Sequence, residues 1–307
     1  MSVTVINRSS KGLVRKKQPL LLSRIALHGF LFVVSLCFLL PLLLIVAASF
    51  TNDRSISRYG YQFIPTVFSL EAYNYILRDP TQILRSYGVS IGVSAIGASL
   101  SLLIMALLGY ALSRVEFRYR QALSFMVFFT MLFNGGIVAS YILNTRYLGL
   151  SDGFPVLILP YLVVPFYVLL LRTYFSSLPN EILEAARIDG ASEWRIFFSI
   201  ALPLSLPALA TVGLLMLLVY WNDYFLGLLY LKSPEKYPLQ LLMFNILNNI
   251  NFLTSNQQAS SQLGAVDVPT QSVRMAMAVL ATGPMAFAFL ILQRYFVRGL
   301  TLGSVKG

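Results

Sequence analysis

Six apolar stretches, each long enough to cross a bilayer, constrain this chain more than any other feature. They cover about Ile25–Phe50, Tyr87–Leu112, Leu123–Leu143, Phe154–Tyr174, Leu206–Leu231 and Val273–Phe296. Roughly 20 mostly apolar residues cross the ~30 Å of hydrocarbon in a membrane. Composition agrees: 57% of residues are hydrophobic and 11% charged, with a mean hydropathy of +0.72, against about 25% charged in soluble domains. A soluble chain of 307 residues could not hide that much apolar surface in one core. The expected fold class is therefore an all-α integral membrane protein with about six transmembrane helices. The first stretch follows basic residues, as a signal peptide does. It is too long for a signal h-region and shows no clear small-residue cleavage site, so it reads as a retained span.

Lys and Arg set the orientation, since they concentrate in short cytoplasmic loops. Six lie in the N-terminal tail (Arg8, Lys11, Arg15, Lys16, Lys17, Arg24). The second-to-third loop holds Arg114, Arg118 and Arg120, and the fourth-to-fifth holds Arg172, Arg187 and Arg195. The C-terminal tail holds Arg294, Arg298 and Lys306. The other loops hold eight basic residues over much longer stretches. Both termini and the fourth-to-fifth loop are thus expected in the cytoplasm of a bacterial-type membrane. The organisation is a basic tail over 1–24, a permease domain over 25–296 with a special loop at about 175–205, and a second tail over 297–307. The net charge of +11 lies in tails and loops without an aromatic-interleaved basic patch, which excludes a nucleic-acid surface. The single cysteine, Cys37, excludes an internal disulfide and a cysteine-based metal site.

Outside the spans, Thr51–Arg85 and Lys232–Ser272 form long outer loops, the second with a polar tract over Thr254–Gln262 too poor in apolar residues to make a core. In the second span, Gly88-x-x-x-Gly92 followed by Ser94, Gly97, Ala98 and Ser101 lets helix backbones approach closely, either within the bundle or at a gate or subunit seam.

The fourth-to-fifth loop, EAARIDGASEWRIFFSIALP over Glu184–Pro203, has a local grammar of its own. Pro179 suits a helix start, where its missing N–H is not needed. Glu181 and Glu184 favour the positive end of the dipole. Ile182, Ala185, Ala186 and Asp189 share one face with small residues at its centre. Gly190 suits the left-handed conformation that ends a helix, and Ser192 suits the cap of a second one, with Glu193 in its first turn. That second helix runs through Trp194, Phe197 and Ile200 until Pro203 and Pro207 turn it. The product is a helix–turn–helix knob, open from geometry alone to a second reading as an amphipathic loop on lipid headgroups.

Glu184-Ala185-Ala186, Gly190, Ile200 and Leu202-Pro203 match EAA-x3-G-x9-I-x-LP, which resembles the loop by which permeases of ATP-binding-cassette (ABC) importers engage their ATPases. Gly109-Tyr-Ala-Leu-Ser-Arg114, Trp221-Asn222-Asp223 and the ending from Gln293 to Gly307 are similar to carbohydrate-importer permeases of the maltose-permease group. Phe133-Asn134-Gly135-Gly136 and Val268–Met275 resemble its complex-oligosaccharide branch. The resemblance implies a translocation path shared with a second permease, two cytoplasmic ATPase subunits and an extracytoplasmic sugar-binding protein. It implies ATPase coupling through Glu184, Ala185, Ala186, Asp189, Gly190, Ile200, Leu202 and Pro203. It also implies ATP and Mg used by the partner, with no cofactor bound by this chain and no catalysis in it. The sequence indeed has no G-x-x-x-x-G-K-[ST] phosphate loop. His28 reads as a satisfied or cavity-facing imidazole, and no His/Cys/carboxylate cluster suggests a metal.

Asp223, the carboxylate set deepest in a predicted span, together with Asn134, Trp221 and Asn222, marks a candidate translocation path or gate, with a structural hydrogen bond as the alternative for Asp223. The tail from Gly299 to Gly307 either touches the ATPases or is a disordered terminus. Two rival functions stand beside the importer: a secondary solute transporter, which would favour matched interrupted helices, and an ABC permease for a non-sugar solute.

Overall fold

The computed structural model describes residues 21–255 and 269–303. Most of the polar tract (256–262) and the two chain ends lie outside the described residues. Helices dominate, and the only β feature among the described residues is an isolated bridge between Thr51 and Phe68.

Helix α1 (Leu21–Ser49) is exposed along most of its described length and packs near its end against the last helix, α15 (Thr270–Gly303). Two short helices follow, α2 (Asp53–Tyr59) and α3 (Glu71–Ile76). Asp53 Oδ1 accepts from the backbone N–H groups of Gln271 and Ser272 at 2.7 and 3.0 Å, so α2 caps the orphan donors that begin α15. The centre of the molecule is α4 (Pro80–Ser113), started by Asp79, whose side chain accepts from Gln82 N. It packs most extensively on α8 (Pro165–Ser176) and α12 (Leu206–Asn222).

Glycines set how close these helices come. A Cβ at Gly97 would lie 2.7 Å from the Tyr220 ring of α12, and one at Gly109 would lie 3.1 Å from the Arg172 backbone of α8. Ser94, Ala98 and Ser101 are buried on the same side. At Gly88 and Gly92, the pair that most resembles a packing motif, a Cβ would meet none of the described residues within 4 Å.

Three predicted spans are broken rather than continuous. The third divides into α5 (Arg120–Leu132) and α6 (Gly136–Ile142), the latter running into a π-helical turn over Leu143–Tyr147, with a bend of 113° between the two arms. Gly136 takes φ +80° there, and Asn134 Oδ1 accepts from its N–H at 2.9 Å. The fourth divides into α7 (Pro155–Ile158) with a 3-10 turn to Tyr161, then α8, bent by 52°. The fifth ends early: α12 stops at Asn222, and a separate helix, α13 (Phe225–Tyr230), starts after Asp223, whose backbone is extended. The region expected as a long outer loop also forms a helix, α14 (Leu239–Ser255), with Leu239, Leu241, Met243 and Ile250 buried. α15 continues past the predicted end of the sixth span to Gly303.

Breaks in apolar surroundings must have their backbone groups satisfied by protein, and neighbouring helices supply the partners. In the α7–α8 break, Tyr220 Oη donates to Ile158 O at 3.0 Å, Ser101 Oγ to Tyr161 O at 3.3 Å, and Val164 N–H points at Met105 Sδ at 3.4 Å. Pro284 inside α15 lacks the N–H that Leu280 O would accept. Tyr87 Oη donates to that carbonyl at 2.8 Å, and Trp221 Nε1 donates to the next one, Ala281 O, at 2.9 Å.

Overpacking a tight contact costs about 1–3 kcal/mol. Gly97→Leu is expected to lower the thermal midpoint of the detergent-solubilised chain measurably, whereas Gly88→Leu leaves it unchanged. Equal shifts for both variants would contradict this packing.

Candidate functional site

The knob forms as the residue pattern predicts. α9 (Asn180–Ile188) begins after Pro179, and Gly190 takes φ +80°, a conformation that L side chains rarely adopt. α10 (Glu193–Ile196) is capped by the Ser192 hydroxyl, which accepts from Arg195 N at 3.4 Å. A π-helical turn over Phe197–Ala201 and the single turn α11 (Leu202–Leu204) lead to an 82° bend into α12.

One face of α9 is buried: Leu183 is closed off, and Ala186 packs on the core. The opposite face is open, with Glu181, Ile182, Glu184, Ala185, Ile188 and Asp189 exposed. Ile188 is 87% exposed, a large apolar group at the tip of the knob left uncovered by the described residues. Glu184, Ala185, Asp189 and Gly190 therefore sit together at the surface. Ile200 and Leu202 lie behind them, partly buried against the core, and Pro203 is exposed beside Leu202.

The knob is tied to the end of α4 by groups that the sequence gives no direct reason to pair. Arg187 donates through Nε to Glu193 Oε1 and through a terminal nitrogen to Glu116 Oε1, both at 2.8 Å. The other Glu193 oxygen accepts from Tyr110 Oη at 3.1 Å. Tyr110 packs edge-on to Phe175 and tilted on Phe197. Arg114 lies over the Tyr110 ring and donates to Phe175 O at 2.7 Å, which satisfies a carbonyl at the end of α8. Hydrogen bonds to the two carboxylates stabilise the charged form of Arg187, raising its pKa further. Glu116 is held below the usual carboxylate value by its own backbone N–H and by Arg187. The signals for this junction were present as separate pieces: Gly109–Arg114 at one end and Arg187 inside the EAA-like segment.

The candidate path residues are dispersed. Asn134 is exposed at the α5–α6 break. Trp221 is buried, with its indole committed to Ala281 O of α15, while Asn222 is exposed. Asp223 accepts from Tyr161 Oη at 3.0 Å and from the N–H of Leu226 at 3.3 Å, which starts α13. It sits roughly 25 Å along α12 from the knob, at 1.5 Å per residue. His28 and Cys37 both lie on the exposed surface of α1.

At the α13 end of the molecule, Asp152 clamps two loops together. Its carboxylate accepts from the N–H groups of Lys232 and Ser233 (2.9 and 3.0 Å), from Ser233 Oγ (2.7 Å) and from Lys236 Nζ (3.0 Å). The residue takes φ +51°, tolerable for Asp. The Ser233 hydroxyl and then the two backbone N–H groups hold its carboxyl well below the usual range.

Broken apolar helices carrying a charged helix–turn–helix at one end define a membrane-embedded transport subunit, and the chain is a multi-pass membrane protein. Residues 20–302 match the binding-protein-dependent transport system inner membrane component family, and the chain belongs to it. It is 39% identical over 283 residues to the polygalacturonan/rhamnogalacturonan transport system permease protein YtcP of Bacillus subtilis, covering 92% of this chain and 97% of that one. It is 31% identical over 300 residues to the arabinooligosaccharides transport system permease protein AraQ of Halalkalibacterium halodurans, covering 95% and 99%. Among solved structures, a chain of a bacterial ABC transporter involved in the import of the acidic polysaccharide alginate superposes with a TM-score of 0.75 at 31% identity, over 90% of this chain and 96% of that one.

The depressed Asp152 carboxyl gives the clamp a defined pH dependence. Its folded-state value lies below the unfolded value of about 3.9, so its contribution is complete above that pH and is lost as pH falls through the folded value. The stability difference between wild type and Asp152→Asn is expected to be flat from neutral pH down to about pH 5, then to shrink below about pH 4. Thermal unfolding across that range reads it, and a difference that grows on acidification would contradict the assignment.

Proposed function

We propose that this chain is the permease subunit of an ATP-driven importer for an oligosaccharide, that it forms the translocation path with a second permease, and that its knob docks on separate ATPase subunits. The carrying observation is the open face of α9, where Glu184, Ala185, Ile188 and Asp189 are exposed. Small side chains at Ala185 and Gly190 allow another surface close to the backbone, and Ile188 is an apolar anchor waiting for a pocket. Glu184 pairs with a basic group of the ATPase. Ile200, Leu202 and Pro203 join the knob to α12, so its displacement reaches the spans directly.

Fifteen of the 23 Lys and Arg residues lie on the knob's side of the predicted spans, which supports a cytoplasmic knob and cytoplasmic termini. ATP and Mg bind the partner ATPases, since this sequence carries no phosphate loop of its own. An extracytoplasmic sugar-binding protein delivers the solute at the opposite face, where Asp152 holds the loops. The solutes of the two named relatives and of the solved importer are all oligo- or polysaccharides, which supports a solute of that class here. Asn134 and Asn222 are the candidate path residues left exposed on this chain. Trp221 and Asp223 hold the helices around them.

Co-expression with the chain's chromosomal neighbours and purification through a tag on it is expected to recover a second permease and an ATPase, with hydrolysis in lipid stimulated by sugar-loaded binding protein. Recovery of the chain alone, moving solute in liposomes without ATP, would replace this reading with secondary transport. Gly190→Val places a β-branched residue in the left-handed region, which costs at least about 1–2 kcal/mol locally and re-aims the turn. Uptake is expected to fall while the complex still assembles and hydrolyses ATP; normal uptake would sink the docking role of the turn.

A further inference from the structure

We infer that Arg187 is a positioning residue: it closes a ring of contacts that makes the helix–turn–helix and α4 move as one body. The inference rests on the proposed coupling role of the knob. The ring leaves the turn just after α4 at Glu116, crosses to Arg187 on α9 at 2.8 Å, crosses again to Glu193 on α10 at 2.8 Å, and reaches α4 itself through Tyr110 at 3.1 Å. The α10 arm is therefore held to α4 through Tyr110, and the α9 arm to the turn that directly follows α4 through Glu116. Arg114 adds the end of α8 through Phe175 O at 2.7 Å.

Covalent connections alone leave the knob two hinges. One is the turn over Ser177–Pro179 between α8 and α9. The other is the 82° bend at Ser205 before α12. A push on Ile188 or Glu184 could be absorbed at either hinge. The ring removes that freedom, because neither arm can swing without breaking a contact to α4 or to the turn that follows it. From there, Gly97 and Gly109 couple α4 rigidly to α12 and α8.

Arginine suits this position because its planar fork reaches two carboxylates in fixed directions, which an ammonium does not. Charge balances within the junction: Arg114 and Arg187 face Glu116 and Glu193. The two glutamates are more than half exposed and the Arg187 side chain is 29% exposed, so such pairs add little stability. The ring's effect is on direction of movement rather than on stability. Beside it lies a cleft of about 400 Å³ lined by Leu107, Phe117, Trp194 and Phe197, space into which an untethered knob could move.

The test uses the complete transporter in proteoliposomes, with its ATPases and binding protein. Cys37→Ser and Gly92→Cys leave one thiol in this chain, on α4, at a position where an added Cβ meets none of the described residues within 4 Å. In otherwise wild-type protein, ATP with vanadate is expected to change the rate at which a maleimide labels that thiol; an unchanged rate in a complex that hydrolyses ATP would itself overturn the movement of α4 with the knob. Arg187→Gln is expected to keep ATPase association, hydrolysis and thermal midpoint while losing the ATP-dependent change in labelling. Arg187→Lys recovers part of it. Tyr110→Phe, which deletes one hydroxyl and keeps the buried ring, weakens it in the same direction. Full retention of the labelling change in Arg187→Gln overturns the inference. If that variant does not assemble, Tyr110→Phe decides alone, and full retention there overturns it equally. An ATPase that never joins the wild-type chain is a different failure, that of the importer reading itself.

Discussion

Every backbone amide in hydrocarbon must find its partner inside the protein, and the placement of side chains in this molecule follows from that requirement. Continuous helices meet it on their own. This chain breaks three of its apolar segments and places Pro284 inside a fourth, so groups that would face lipid unsatisfied have to be covered from neighbouring helices. Ser101, Tyr220 and Met105 cover the break before α8, and Tyr87 and Trp221 cover the carbonyls at Pro284. All five donors and acceptors come from α4 or α12. Those two helices are consequently both the packing centre and the source of polar partners for the rest.

That arrangement changes the meaning of several polar residues. Trp221 and Asp223 stand in a segment where a sugar-stacking ring and a carboxylate would be natural, yet their polar atoms point into the chain. The indole holds α15, and the carboxylate holds Tyr161 and starts α13. Moving either would disturb where α12 ends, and hence the geometry of whatever path runs beside it. Glycines act similarly by subtraction: at Gly97 and Gly109 the missing side chain is what lets α4 seat against α12 and α8. At Gly88 and Gly92 an added side chain would meet none of the described residues within 4 Å.

The sequence was most legible where a local rule acts alone. Apolar run length locates all six segments, and Pro179, Gly190 and Ser192 delimit the knob because capping and left-handed turns depend on a few adjacent residues. It was least legible where direction matters. Hydropathy merges α5 with α6 and α12 with α13, since apolar content says nothing about a 113° turn at Gly135–Gly136 or an extended residue at Asp223. It also passes over α14, whose apolar residues are diluted by Asn245, Asn248 and Asn249. The ring through Glu116, Arg187, Glu193 and Tyr110 spans 83 residues of chain between its most distant partners. No local pattern announces such a contact.

The central claim is that the exposed α9 face is the docking surface for a cytoplasmic ATPase. Its most direct measurement is a single thiol at the tip, Ile188→Cys in a Cys37→Ser background, followed in intact cells and in the purified complex. The account predicts that the thiol resists a membrane-impermeant maleimide applied from outside and cross-links to the ATPase subunit through a short bifunctional reagent. Labelling from outside, or a cross-link only to the extracytoplasmic binding protein, would contradict it.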